Sequence, residues 1–173
     1  MLPNSKDKER MYSEMYDLDT FLDEHDKVQH APIDNLSCKR EKIVVALMFW
    51  SDATQLAAFG MAKMWPIYML FGNLSKYVRC QPNFGAMKHL AYIPSFPDLL
   101  QDDIKAFYHK WDTQQKDIVT HCYRELMQAV WKVLLDNNFL HAYKYGMILC
   151  CQDGIERHIY PRVFIYSADY PEK

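Results

Sequence analysis

Glycine is scarce in this chain, with 5 residues in 173. Neither a G-x-G-x-x-G run nor a P-loop is present, which excludes the Gly-rich cradles that hold nucleotide phosphates. Charge of one sign is also lacking. The formal net charge is −2 at pH 7, so no global basic field draws in a phosphate backbone. Nucleic-acid binding would have to rest on a local patch. The five cysteines (Cys38, Cys80, Cys122, Cys150 and Cys151) include no C-x-x-C pair. Their odd number, with no signal peptide ahead of them, predicts reduced thiols in an intracellular protein. Long apolar runs are missing too. Ile43–Trp50 is too short to cross a bilayer, and the stretch 57–72 is interrupted by Lys63 and Pro66, so no membrane association is expected. His121, His141 and His158 lack H-E-x-x-H or H-x-x-x-H spacing, which removes the usual zinc signatures.

What is abundant is core-forming material. Hydrophobic residues make up 50% and aromatics 14%, enough to bury one domain and too much for a disordered chain. Residues 1–40 stand apart as an acidic arm, with six Lys/Arg against nine Asp/Glu. A loose apolar stripe (Tyr12, Met15, Tyr16, Leu18, Phe21, Leu22) predicts a helix over Arg10–His25 that packs on the main domain. The remainder, residues 41–173, reads as a mixed α/β core of the α+β kind.

The run Ile43–Trp50 is continuous, apolar and partly β-branched, as in a strand buried on both faces. A second strand is predicted at Trp65–Phe71, ending in the turn pair Gly72-Asn73, and a third at His89–Ile93, stopped by Pro94. Short connections make these a three-stranded meander. Apolar residues from Ile118 to Leu134 recur at helical spacing, predicting one long helix from Asp117 to about Tyr145, capped by Gly146. A hairpin should follow, Met147–Cys151 with Ile155–Tyr160 across Asp153-Gly154, and then a separate short strand, Val163–Tyr166. Cys150 and Cys151 are expected as two core thiols on opposite faces of that hairpin.

Two of these strands run into aspartates, the first at Asp52 and the last at Asp169. Carboxylates at the ends of neighbouring strands suit a two-metal site, because divalent Mg²⁺ or Mn²⁺ takes hard oxygen ligands and strands lie about 4.8 Å apart. Spacing alone favours plainer roles. Asp52-Ala-Thr-Gln55 fits a capping box opening a short helix, and Asp169 before Tyr170-Pro171 fits a turn. Lys76, Arg79 and Lys88, near Tyr77 and Phe84, could meet phosphates, although a solvated loop face explains them more simply.

A wider pattern bears on these acids. Phe49-Trp-Ser-Asp-Ala-Thr-Gln-Leu56, Trp65-Pro-Ile-Tyr68 and Phe71-Gly-Asn-Leu-Ser-Lys-Tyr77 stand in order near the start. Leu90-Ala-Tyr-Ile-Pro94, Arg124-Glu-Leu-Met127 with Trp131, and Tyr166-Ser-Ala-Asp-Tyr-Pro-Glu-Lys173 follow. Together these blocks resemble the Plavaka transposases of the Kyakuja-Dileera-Zisupton group, over roughly Arg10 to Lys173.

The resemblance implies a partial RNase H-like fold with a DDE-type centre that cuts and joins DNA with Mg²⁺ or Mn²⁺. Asp52 and Asp169 would be its first two acids and metal ligands, and the hairpin an insertion before the last strand. It further implies a nuclear protein whose partners are DNA and full-length transposase chains. The family continues into a cysteine-rich segment and a third acid, whereas this chain stops four residues after Asp169. A catalytically inactive core is therefore expected, with an exposed sheet edge or apolar face. The alternative is a non-enzymatic, transposon-derived interaction or DNA-binding protein.

Overall fold

The computed structural model describes residues 11–31, 39–52, 54–55, 63–94 and 98–168. Its centre is β1 (Lys42–Ser51), hydrogen-bonded on both sides. One neighbour is β3 (Lys63–Phe71), antiparallel with Leu47 opposite Phe71 and Ser51 opposite Ile67. The other is β6 (Glu156–Ser167), parallel with Lys42 opposite His158 and Trp50 opposite Ser167. The sheet runs β2-β3-β1-β6-β5, where β2 is Thr54–Gln55 and β5 is Met147–Cys150, and β4 (Lys88–Ile93) also pairs with β3. A strand with partners on both edges has only its faces left to pack, which is why β1 is apolar throughout.

One face meets the acidic arm. A 3₁₀ turn at Met15–Asp17 leads into α1 (Asp19–Gln29), later than the expected Arg10–His25, because Leu18 is still extended and Asp19 opens the first turn. Met15, Phe21 and Val28 close over Val44, Ala46 and Tyr160 to form the buried core. A β-bulge in β6 slips its register between Leu47 and Met48 of β1. Beside it, the ring of Phe164 stacks on Phe21 at 5.6 Å.

The expected meander of β1, β3 and β4 is present, and the turn after β3 shows why its residues are needed. Asn73 donates from Nδ2 to the Val44 carbonyl (2.9 Å) and accepts at Oδ1 from the Ala46 amide (2.8 Å). Its amide side chain thus replaces a strand where β3 has ended. Gly72 presses so close that a Cβ would sit 2.9 Å from Met15 and 3.0 Å from Ala46.

Four expectations are corrected here. The single helix Asp117–Tyr145 is two helices, α4 (Trp111–Leu134) and α5 (Asn137–Tyr145), divided where the Asp136 side chain accepts from the Phe139 amide at 2.8 Å. Asp136 is the N-cap of a new helix, a role its side chain fills better than a place in a helix interior. Two more helices, α2 (Lys76–Arg79) and α3 (Asp98–Phe107), were not foreseen. The final strand Val163–Tyr166 is not separate, since β6 runs unbroken from the hairpin through Pro161. Pairing with β5 stops at Ile159, so the proline interrupts no ladder on that side. The hairpin is accordingly part of the sheet rather than an insertion before it. Cys150 is exposed and Cys151 half-buried, against the expectation of two core thiols, because β5 is an edge strand with little packed over it.

The opposite face of β1 looks onto an open apolar trough of about 820 Å³, lined by Val45, Leu47 and Phe49 from the sheet and Leu134, Phe139 and Ala142 from α4 and α5. Among the described residues no helix is long and apolar enough to cross a membrane.

Candidate functional site

The end of β1 is held firmly. Ser51 is fully buried, and its Oγ lies 2.8 Å from the Tyr166 hydroxyl on β6, within a hydrogen bond. The same hydroxyl reaches Met127 Sδ of α4 at 3.9 Å. Trp131 of α4 packs edge-on against both Phe49 (5.2 Å) and Tyr166 (4.9 Å). One turn of helix therefore clamps the last residues of two parallel strands at the same level.

Asp52 follows directly and is half-buried. The helix-capping role does not hold for it, because Thr54 and Gln55 form β2 and continue along β3 in the register that β1 began, Thr54 opposite Met64. Asp52 thus occupies the interruption between two strand segments, just past the last residue pair joining β1 to β6. Such a position lets a carboxylate project from a rigid sheet without giving up ladder hydrogen bonds. Asp169 lies outside the described residues, two positions beyond Ser167, the residue opposite Trp50. What the described structure establishes is that the strands leading to the two acids are parallel neighbours ending together. Among the described residues no group of three His, Cys, Asp or Glu side chains could hold a metal ion. Asp52 alone offers the hard oxygen donor that Mg²⁺ or Mn²⁺ prefers.

The three basic candidates have different fates. Arg79 turns inward: its guanidinium donates to the carbonyls of Gly72 and Leu74 and reaches Glu14 Oε2 at 3.5 Å. It braces the turn after β3 and ties the arm to it. Lys76 is exposed at the start of α2, with Nζ 5.4 Å from the Tyr77 ring centroid, while its backbone amide donates to both Glu14 oxygens at 3.0 Å. Lys88 is exposed at the start of β4, opposite Met69.

Two features escaped the sequence reading. The Ser51–Tyr166 bond depends on parallel pairing of segments 115 residues apart, for which no local signal exists. A second feature is a file of rings across the sheet. Trp50 on β1 lies 5.6 Å from Tyr68 on β3, Tyr68 lies 5.6 Å from His89 on β4, and His89 lies 4.1 Å from Tyr92. Alternation along β1 could have hinted at it, since Trp50 falls on the side of Val44 and Ala46 but beyond them.

Comparison with curated proteins and with solved structures finds no match. A family model does match, that of the Plavaka transposase, over residues 2–173. With paired strands ending at the same edge, a half-buried acid at one of those ends, and a family match along essentially the whole chain, this protein belongs to the Plavaka transposase family.

Proposed function

We propose that the chain carries part of a DDE-type DNA-cleaving centre on an RNase H-like core, with Asp52 and Asp169 as its first two metal-ligating acids. The observation that carries this reading is the parallel pairing of β1 with β6, with Trp50 opposite Ser167 and an acid two residues beyond each. Adjacent strands hold their side chains at a separation two carboxylates can bridge to a common ion. When bound, Mg²⁺ or Mn²⁺ would supply Lewis-acid stabilisation of a phosphodiester under attack. The protein's own part in this reading is to hold the two strand ends level and rigid, which the Ser51–Tyr166 bond and the Trp131 packing support.

A DDE-type centre takes three acids, and in this reading Asp52 and Asp169 supply two of them. With those two acids alone, this reading expects weak ion binding without turnover. In this reading the partners are DNA and complete transposase chains, in the nucleus. The test pairs binding with chemistry. Mn²⁺ titration should show affinity falling about tenfold in Asp52→Asn, on the order of one lost charged ligand. Plasmid incubated with the protein and Mn²⁺ should stay supercoiled. Equal Mn²⁺ affinity in the wild type and Asp52→Asn would remove Asp52 from the site, and nicking abolished by Asp52→Asn would show an active centre instead.

A second reading, a non-enzymatic interaction protein, is favoured by the open apolar trough between the sheet and α4–α5. An apolar cleft of about 820 Å³ is a concave surface that a ligand or a partner's apolar segment can fill.

A further inference from the structure

The ring file Trp50–Tyr68–His89–Tyr92 is unexplained by the core. On β1, side chains at 44, 46, 48 and 50 share one face, and α1 covers that face at Val44 and Ala46. Trp50 lies beyond this cover at 39% exposure, and Tyr92 at the far end of the file is 51% exposed. His89 between them is also exposed. Four aromatic rings in sequence over three strands, left partly open to water, are an uncommon use of a sheet surface.

We propose that this file is a stacking platform for unpaired bases of single-stranded DNA, beginning at Trp50, two residues before Asp52. The proposal rests on the DNA-cleaving reading above and names the state of the DNA that reaches that edge. Its chemistry is specific. Each member has a flat π face and a polar rim (indole N–H, imidazole, phenol), which matches a nucleobase better than it matches an aliphatic protein surface. The 5.6 Å steps follow the spacing of the strands, so successive rings can take successive bases of an extended strand, as on other sheet-borne aromatic platforms. Paired bases cannot present their faces this way, so duplex DNA is a poor ligand for the file. Trp50 precedes Asp52 by two residues, and a strand lying along the rings would bring its backbone to the acid edge.

The test uses the whole chain in EDTA, so that metal ligation plays no part. Fluorescence anisotropy with a labelled oligodeoxythymidylate of about 12 nucleotides should show binding, and a duplex of equal length should bind more weakly. Trp50→Ala and Tyr92→Ala should each weaken single-strand binding about 5- to 100-fold, the range expected for one lost base stack. Phe107→Ala, an exposed ring on α3, should leave it unchanged. In the unsubstituted chain the same oligonucleotide should quench tryptophan emission, because Trp50 is exposed while Trp65, Trp111 and Trp131 are buried or half-buried. Trp50→Phe should retain most of the affinity. Binding that survives Trp50→Ala, or that favours the duplex, overturns the platform. Absence of oligonucleotide binding with self-association through these rings would make the surface a protein contact instead. In EDTA Asp52→Asn should bind the oligonucleotide at least as tightly as the unsubstituted chain, since a carboxylate without its cation repels phosphate, so failure of the acid site and failure of the platform give different results.

Discussion

Arg162 shows how much one side chain can join. It is 8% exposed on β6, and its guanidinium donates to Glu24 Oε2 of α1 at 3.1 Å and to the Tyr143 carbonyl of α5 while covering the Tyr143 ring at 4.1 Å. An arm helix, the sheet and a C-terminal helix thus meet at one cation, whose planar fork a lysine could not reproduce. Glu24 also pairs with Lys27 at 2.7 Å. Lys27 and then Arg162 hold its carboxyl below the ordinary value of 4.5. A depressed acid stabilises the folded state above its unfolded pKa and loses that contribution as pH falls through the folded one. Urea unfolding between about pH 6 and pH 3 should therefore show stability falling below about pH 4.5, and Glu24→Gln should flatten part of that limb. Identical limbs in the two proteins would show the pair to be energetically idle. The inward turn of Arg162 is not legible in the sequence, because its burial is produced by three segments arriving from far apart.

Among the elements, strands were read more accurately than helices. β1, β3 and β4 each lie within two residues of their expected ends, because an apolar run closed by Ser-Asp, Gly-Asn or Pro carries its own boundaries. The α4–α5 junction was missed since apolar spacing continues past it, and periodicity does not report a break in direction. Asp136 did carry the signal as a capping residue followed by two asparagines. Asp136→Ala should destabilise the protein by about 1 kcal/mol in chemical denaturation, the usual loss for a helix N-cap. No change would mean that packing against the sheet, rather than the cap, sets the start of α5. At the other end of α5, Gly146 has φ +80° and lies so near His158 and Tyr160 that a Cβ would meet them at under 3 Å. The expected glycine cap is there, with a close approach as a second reason for it.

Considered as a molecule, and among the described residues, one sheet face is well covered by α1 and the other only partly by α4 and α5. The trough exposes apolar walls to water, and edge strand β5 adds exposed Met147, Ile148 and Leu149 beside it. Such surface should bind the dye ANS strongly in the folded protein, and the signal should fall on unfolding in urea. Weak dye binding by the native chain would show that the trough is closed in solution. Local residue pattern was sufficient for the meander, the Asp-Gly hairpin, the glycine cap and the order of blocks that marks the family, because each depends on neighbours within a few positions. Only the folded arrangement decided that β1 and β6 run side by side, that Arg79 and Arg162 turn inward, and that four rings line up across β1, β3 and β4. These are pairings between segments distant along the chain, and their energies depend on contacts that exist only once the sheet has closed.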